Sequence, residues 1–553
     1  MSSAVSSSGQ GPAGPLIAYP RGFRSRRGLN WGYLGLLYTT YYMCRYNFSI
    51  ANKAISEEYQ FSYSEMSSIL TAWTLAYAFG QIINGLITDR IGGKAAMLIG
   101  AAGTILMNLL FGAASAWGIL GLFMAIRGID GYLQSFGAPG MNKIKTAWFV
   151  KTERGGFAGI FGFMINLGRL GIFTFGPAFL AGFAIFGMVQ VDPLHWKWLF
   201  WGPSILCAAV AIAMAVSVKE TPEAHGYLPV EAYSAGSANE KWTITGAIIG
   251  ACLLLGVCIC GWLYHQGRIG PIDLGVLVIL LIVGLFAALH ILAALNPPPP
   301  VHAYAAPAPT SGEVPVVAAV PESAAAPAGC TSAVSNPEEY EERTTRADIL
   351  VALRTIATNP AVWIVAAAYA CTGAVRQPID QWFPRYMQEV HNTDLKSAQF
   401  QFLAFLIPFV ASAGSLLSGY ISDKIFAGAR APVAAVLYLL ETAIVCGAAL
   451  TTTPGAAILF FVLISFTANS THSILGTAAA MDIGGKKMAG FASGLIDAFQ
   501  YFGSSVGLFI LGHLLDYEPW GWKAYFPYMI PFGLLGFCLM VFGRGVIARG
   551  SRR

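Results

Sequence analysis

Apolar residues run in long blocks separated by short polar turns along almost the whole chain. A helix needs about 20 mostly apolar residues to cross a bilayer. Six such blocks fill the first half, at 30–55, 64–88, 95–117, 118–148, 155–187 and 196–217. Two more lie at 242–264 and 272–295, and six close the chain at 360–388, 396–423, 431–452, 455–482, 487–515 and 522–547. The pattern predicts an all-α polytopic membrane protein of about 14 transmembrane helices. The stretch 296–346 breaks the pattern. It opens on Pro297–Pro300, continues through alanine and proline, and ends in the acidic run Glu338–Glu342. It holds too few large apolar residues for a core, so a disordered cytoplasmic linker is expected, with a docking segment for a partner as the alternative.

Composition agrees. Of 553 residues, 56% are hydrophobic and 11% charged, against roughly a quarter charged in soluble chains. The nine cysteines form no CxxC or Cys/His cluster, so neither a disulfide framework nor a metal site is expected. No nucleophile–base pair stands out, and neither an enzyme nor a cofactor is expected. The net charge of +5 is explained by topology, and nucleic acid is not needed as a partner. Arg21, Arg24, Arg26 and Arg27 precede the first span, and Arg544, Arg549, Arg552 and Arg553 lie at or beyond the end of the last. Alternate turns carry Arg90/Lys94, Lys145/Lys151/Arg154, Lys424/Arg430 and Lys486/Lys487; the opposite turns carry Glu57/Glu58, Asp192 and Asp516/Glu518. Both termini are therefore expected in the cytoplasm, with the chain spanning the cell (plasma) membrane. The first 27 residues lack the apolar core of a signal peptide, and no cleavage is expected.

The two halves repeat each other. Gly85-x-x-x-Asp89-Arg90 closes the second span and Gly419-x-x-x-Asp423-Lys424 the tenth, and 423 − 89 = 334. Gly156 opens the fifth span as Gly490 opens the thirteenth, and 490 − 156 = 334. Arg45 lies mid-way through the first span and Arg376 mid-way through the ninth, and 376 − 45 = 331. This predicts a duplicated six-helix unit with a site between the halves. The expected segments are a tail at 1–27, a first half at 28–217 and an insert with two extra helices at 218–295. The linker at 296–346, a second half at 347–548 and a basic tail at 549–553 follow.

Arg45 lies about 22 Å and Arg376 about 25 Å along their helices at 1.5 Å per residue. A charge at that depth costs on the order of 2.5–3.5 kcal/mol even on the lenient insertion scale. Each arginine therefore needs a carboxylate, water or an anionic ligand. No acid lies one turn from Arg45, whereas Asp380, four residues beyond Arg376, is a possible partner for it. Two guanidinium forks facing one cavity suit a phosphate dianion in shape and charge.

The Gly-x-x-x-Asp-Arg-x-Gly-Gly-Lys stretch at 85–94 resembles the loop signature of the major facilitator superfamily. That resemblance implies a gating role at the cytoplasmic helix ends for Asp89, Arg90, Asp423, Lys424 and Arg154. Tyr41-Tyr42-Met43-Cys44-Arg45-Tyr46-Asn47-Phe48 resembles the first-helix motif of the organophosphate:phosphate antiporter family, whose members include bacterial glycerol-3-phosphate and hexose-phosphate transporters. The likeness continues through Gln134-x-x-Gly137-x-Pro139, Lys143, Trp148, Glu153–Gly156 and Asn166-x-Gly168, then Arg376, Trp382, Pro384, Tyr386, Lys486-Lys487 and Gly490. It implies exchange of a phosphorylated sugar or glycerol for inorganic phosphate by a monomer in the lipid bilayer. Arg45 and Arg376 match the positions that bind the phosphate moiety. Tyr41, Tyr42, Gln134, Asn166, Arg169 and Trp382 are further candidates for the substrate. The chain departs from the pattern at Tyr46, Gln81, Ile165 and Arg169. Arg169 either restores a positive charge to the cavity or pairs with Asp130.

Arg127 and Asp130 are three residues apart, a spacing that allows local pairing or a proton relay. His472 and Asp497 stand at similar depth and form either a titrating pair or a structural hydrogen bond. Glu441 is expected to be buried without a partner evident in the sequence. A proton- or sodium-driven organic-anion symporter and a transporter-like sensor of hexose phosphate are the rival readings.

Overall fold

The computed structural model describes residues 19–20, 22–149, 154–230, 270–296, 358–426 and 429–550. The first half comprises α1 (Phe23–Tyr59), α2 (Tyr63–Ile91), α3 (Gly93–Ala113), α4 (Leu120–Gln134), α5 (Gly137–Trp148), α6 (Arg154–Ala181) and α7 (Trp198–Ser217). One extra helix, α8 (Pro271–Leu295), follows. The second half comprises α9 (Pro360–Val390), α10 (Ala398–Lys424), α11 (Arg430–Ala449), α12 (Pro454–Ser473), α13 (Ala480–Asp516) and α14 (Ile530–Gly550), with a π turn, Ile474–Ala479, between α12 and α13.

Ten helical segments among the described residues are long and apolar enough to cross a membrane. Helices α1 and α9 fall outside that set because they are the polar ones. They carry Arg45 and Arg376 and bury residues on every face. A helix too polar for lipid is stable here only if its neighbours cover it. The halves meet along α2 with α13, α6 with α10, and α1 with α9.

Local chemistry sets the helix ends and bends. A capping box of Ser62 and Glu65 starts α2, and the Asn359 side chain caps α9. Pro378 and Pro384 lie inside α9 and free the carbonyls four residues earlier. Tyr528 donates to the Ala374 carbonyl at 2.9 Å, and Ser49 of α1 donates to the carbonyls of Asp380 at 3.3 Å and Gln381 at 2.8 Å. The second proline thus creates an acceptor that the other half fills. A Cβ on Gly507 would stand 2.6 Å from the Ala374 carbonyl oxygen, so only glycine lets α13 pack this closely on α9.

Several boundaries differ from expectation. The span at 118–148 is two helices, because Asn84 of α2 enters the break and donates to the Tyr132 carbonyl (2.9 Å) and Ser135 Oγ (2.7 Å). The span at 155–187 ends at Ala181, where Gly182 takes φ +76° and a two-strand hairpin, β1 (Phe183–Ile185) with β2 (Val189–Val191), follows. This short hairpin aside, the elements are helical, as expected. Arg24, Arg26 and Arg27 lie inside α1 rather than before it.

Helix α8 packs on α1 and α6 of the first half. Phe286 lies against Gly32, the Tyr33 hydroxyl meets His290 Nε2 at 3.0 Å, and the Asp273 carboxylate accepts the Phe186 N–H at 2.6 Å. The expected span at 242–264 and all but the first residue of the linker fall outside the described residues.

Candidate substrate site

Arg45 is 1% exposed. Its Nε donates to Gln134 Oε1 at 2.7 Å and its Nη1 to the Tyr501 hydroxyl at 3.1 Å, so one guanidinium joins both halves. The rings of Tyr42, Trp73 and Tyr77 stand 4.5–4.7 Å from it. These faces attract the cation without neutralising it. Among the described residues no carboxylate forms an ion pair with Arg45, and its Nη2 has no hydrogen-bond partner.

Arg376 is 6% exposed, and its Nε donates to Asn469 Oδ1 at 3.2 Å. Asp380 lies 4.0 Å away, but its tight ion pair is with Arg169 of the first half. Tyr46, also of the first half, donates to the other oxygen of Asp380 at 3.2 Å. Tyr46 and Asp380 lie on the first helix of each half. These two helices thus face each other where the halves meet.

The expected alternative of an Arg169–Asp130 pair is incorrect. Asp130 is held 3.1 Å from Arg127 and accepts Trp73 Nε1 at 2.9 Å, while Arg169 reaches Asp380 and, through Nη1, Asn166 Oδ1 at 3.3 Å. Helix α4 therefore keeps its own ion pair. Arg127 Nη2 donates to the Arg45 carbonyl at 3.2 Å, and Asp130 orients the indole that stacks on Arg45.

His472 and Asp497 meet through a third residue. The Tyr369 hydroxyl contacts His472 Nδ1 and lies 3.4 Å from Asp497 Oδ1. Asp497, Tyr42 and Tyr501 all stand within electrostatic range of both Arg45 and Arg376, so the two arginines share neighbours. Asn166 bridges to Ser412 of α10 at 2.9 Å, so it too sits between the halves.

Two candidates lie elsewhere. The Tyr41 hydroxyl donates to the Met97 carbonyl at 2.5 Å, fixing that ring in the packing of α1 on α3. Trp382 packs with Tyr63 and Trp522, ring centroids 6.1 Å away in each case, near one end of the bundle. That end is sealed by contacts the sequence reading missed. Arg385 donates to Asn52 Oδ1 (2.8 Å), Ser56 Oγ (3.0 Å) and Glu389 (2.6 Å), and Asp516 accepts the Tyr63 and Ser64 N–H groups at 2.8 Å. The spacing of Arg385 and Glu389, one turn apart, was the available signal.

Because Asp516 caps a helix of the opposite half, opening this end must free two N–H groups and the Arg385 fork together. Arg385→Ala is expected to speed maleimide labelling of a cysteine at Ser67, now 1% exposed, at least tenfold. An unchanged rate would mean that the seal does not depend on the guanidinium.

At the opposite end, Asp89 and Arg90 are exposed, and Lys143 Nζ donates to the Asp89 carbonyl at 2.8 Å. Lys424 is exposed; the side chains of Asp423 and Arg154 lie outside the described residues. Glu441 is 1% exposed, and among the described residues neither of its oxygens has a hydrogen-bond partner.

The sequence profile of the Major Facilitator Superfamily matches residues 34–242 and 241–508. The chain belongs to this superfamily. A probable hexose phosphate transport protein of Chlamydia pneumoniae is 23% identical, covering 88% of this chain and 85% of its own. The glycerol-3-phosphate transporter of Bacillus subtilis is 23% identical, at 87% and 85% coverage. The membrane sensor protein UhpC of Escherichia coli is 23% identical, at 88% and 85%. Among solved structures, a bacterial homolog of the human lysosomal transporter Spinster, inward-facing and unoccupied, superposes with a TM-score of 0.58 at 14% identity, covering 95% of this chain and 97% of its own. At that identity the likeness concerns the superfamily fold alone.

Proposed function

We propose that this chain is a secondary transporter that exchanges a phosphorylated organic metabolite for inorganic phosphate by alternating access. The observation that carries the reading is the pair Arg45 and Arg376, buried guanidinium groups from opposite halves with Tyr42, Tyr501 and Asp497 near both. Asp380 is engaged with Arg169, and Asp497 is the other carboxylate near Arg45 and Arg376, so the three arginines outnumber the carboxylates. An empty site of this kind holds uncompensated positive charge in low dielectric, which resists closure; a phosphate dianion bridges the forks and removes the penalty. Crossing without an anion would carry bare charge, so exchange is favoured over net movement.

In this reading Tyr42, Gln134, Asn166 and Arg169 surround the substrate, while Asp89, Arg90, Arg154, Asp423 and Lys424 act where the cytoplasmic end reseals. Both termini lie in the cytoplasm and the unit is a monomer in the plasma membrane. The likeness to a membrane sensor supports a second reading, binding of hexose phosphate with negligible flux.

Counterflow of labelled phosphate into phosphate-loaded liposomes, without any ion gradient, tests both. Exchange at many times the protein-free rate is expected. Binding without flux would favour the sensor, and flux only with a proton or sodium gradient would favour a symporter.

A further inference from the structure

A hydrogen-bonded chain of three side chains runs beside both arginines. Tyr369 lies two turns before Arg376 on α9. His472 lies one turn beyond Asn469, which holds Arg376, and Asp497 one turn before Tyr501, which holds Arg45. The Tyr369 hydroxyl contacts His472 Nδ1 on one side and stands 3.4 Å from Asp497 Oδ1 on the other. Tyr369 is 0% exposed, whereas His472 and Asp497 are half-buried. Gly476 packs against the same hydroxyl from the π turn Ile474–Ala479, and single π turns within helices occur mostly at functional sites.

The hydroxyl has one proton and cannot donate to both neighbours. In one arrangement it donates to an ionised Asp497 and accepts from His472 Nδ1–H. In the other, a protonated Asp497 donates to the hydroxyl oxygen, and the hydroxyl donates to a bare His472 Nδ1. A proton that arrives at His472 Nε2 converts the first into the second. The Nδ1 proton then passes to Tyr369, and the tyrosine proton passes to Asp497. His472 and Tyr369 end neutral, Asp497 has gained one proton, and both contacts are kept.

Within electrostatic range of the chain stand Tyr42 and Arg45 of α1, Tyr77 of α2, Arg169 of α6, Arg376 of α9 and Tyr501 of α13. Three of these are cations. While the site is empty, an ionised Asp497 offsets part of their charge. A phosphate dianion gripped by Arg45 and Arg376 does so instead, and it puts like charge beside the carboxylate. We infer that Asp497, Tyr369 and His472 form a proton-binding site that loads one proton onto Asp497 as the anion binds. The inference rests on the reading of Arg45 and Arg376 as the phosphate grip. By linkage, the bound proton must in turn strengthen anion binding.

The test uses the purified full chain in detergent micelles, in weakly buffered solution with a pH-indicator dye. Inorganic phosphate is the probe, added at an alkaline pH where the free ion is already a dianion. Wild type is expected to take up close to one proton for each phosphate bound, and its Kd for phosphate to rise as the pH is raised further. Asp497→Asn, a neutral stand-in for the loaded state, should take up none. At that alkaline pH it should bind phosphate at least tenfold more tightly than wild type, a gain that a merely structural hydrogen bond would not give. Should Asp497→Asn not fold, Asp497→Ser takes its place with the same expected results.

Phosphate binding by wild type without proton uptake overturns the proton site and leaves the exchange reading intact. Uptake that persists in the variant also overturns it, because the proton then sits on the phosphate or on another group. So does phosphate binding by the variant no tighter than by wild type. If wild type binds no phosphate at all, the exchange reading fails and the proton site falls with it.

Discussion

Arg45→Lys and Arg376→Lys are each expected to lower phosphate exchange in proteoliposomes at least a hundredfold, with protein yield and elution profile close to wild type. A hundredfold corresponds to about 2.7 kcal/mol of lost transition-state binding. Lysine keeps the charge, so a site that needed only charge would tolerate the change. Geometry argues otherwise. The planar Arg45 group serves Gln134 on one edge, Tyr501 on another and three aromatic faces, and still leaves Nη2 for a ligand. An ammonium is a compact point charge that cannot span those directions. Arg376 is similarly held by Asn469 through Nε, which turns the rest of the fork away from that contact. Exchange within tenfold of wild type in either variant would remove bidentate recognition from the mechanism.

The second large effect concerns the ion pair between the halves. Asp380→Asn is expected to destabilise the protein by about 3–5 kcal/mol, the usual cost of leaving one member of a buried pair uncompensated. Arg169 is 0% exposed and its Nε already lacks a partner among the described residues, which offer it no substitute for the carboxylate. The double variant Arg169→Met with Asp380→Leu should recover most of that loss, because apolar replacement of a complete buried pair is often neutral or stabilising. Thermal unfolding of the two singles and the double gives the coupling directly. If the double is stable but does not transport, the pair belongs to the transport cycle; if it transports at the wild-type rate, the pair only holds this closed arrangement. Additive losses would show that Arg169 and Asp380 do not depend on each other.

The chain's departure at position 46 becomes intelligible through this pair. Tyr46 brings a hydroxyl to Asp380 and an aromatic face to Arg169, 5.2 Å from its guanidinium carbon. The positive charge opposite Asp380 is supplied by α6. The sequence contained both residues, yet offered Asp380 only as the neighbour of Arg376. Spacing along one helix reveals partners within that helix; it says nothing of what an adjacent helix presents at the same depth.

Trp382 shows the same boundary from the other side. Its place in the resemblance suggested contact with substrate, whereas the stretch of α9 beyond Pro378 sets it among Tyr63 and Trp522 at the sealed end. Arg385, which closes that end, was legible only as a charge one turn before Glu389. Its reach to Asn52 and Ser56 depends on how the halves are docked.

What the linear chain determined by itself was the membrane class, the duplication and the depth of two arginines. Each follows from short-range rules: the length of an apolar run, a recurring motif, and the cost of a charge far from water. Which carboxylate answers which arginine, where α4 breaks, and which end of the bundle is closed were decided only when the helices packed. Those outcomes depend on side chains from distant segments meeting at fixed depth, and a burial cost is cancelled by whichever group is near in space, whatever its distance along the chain.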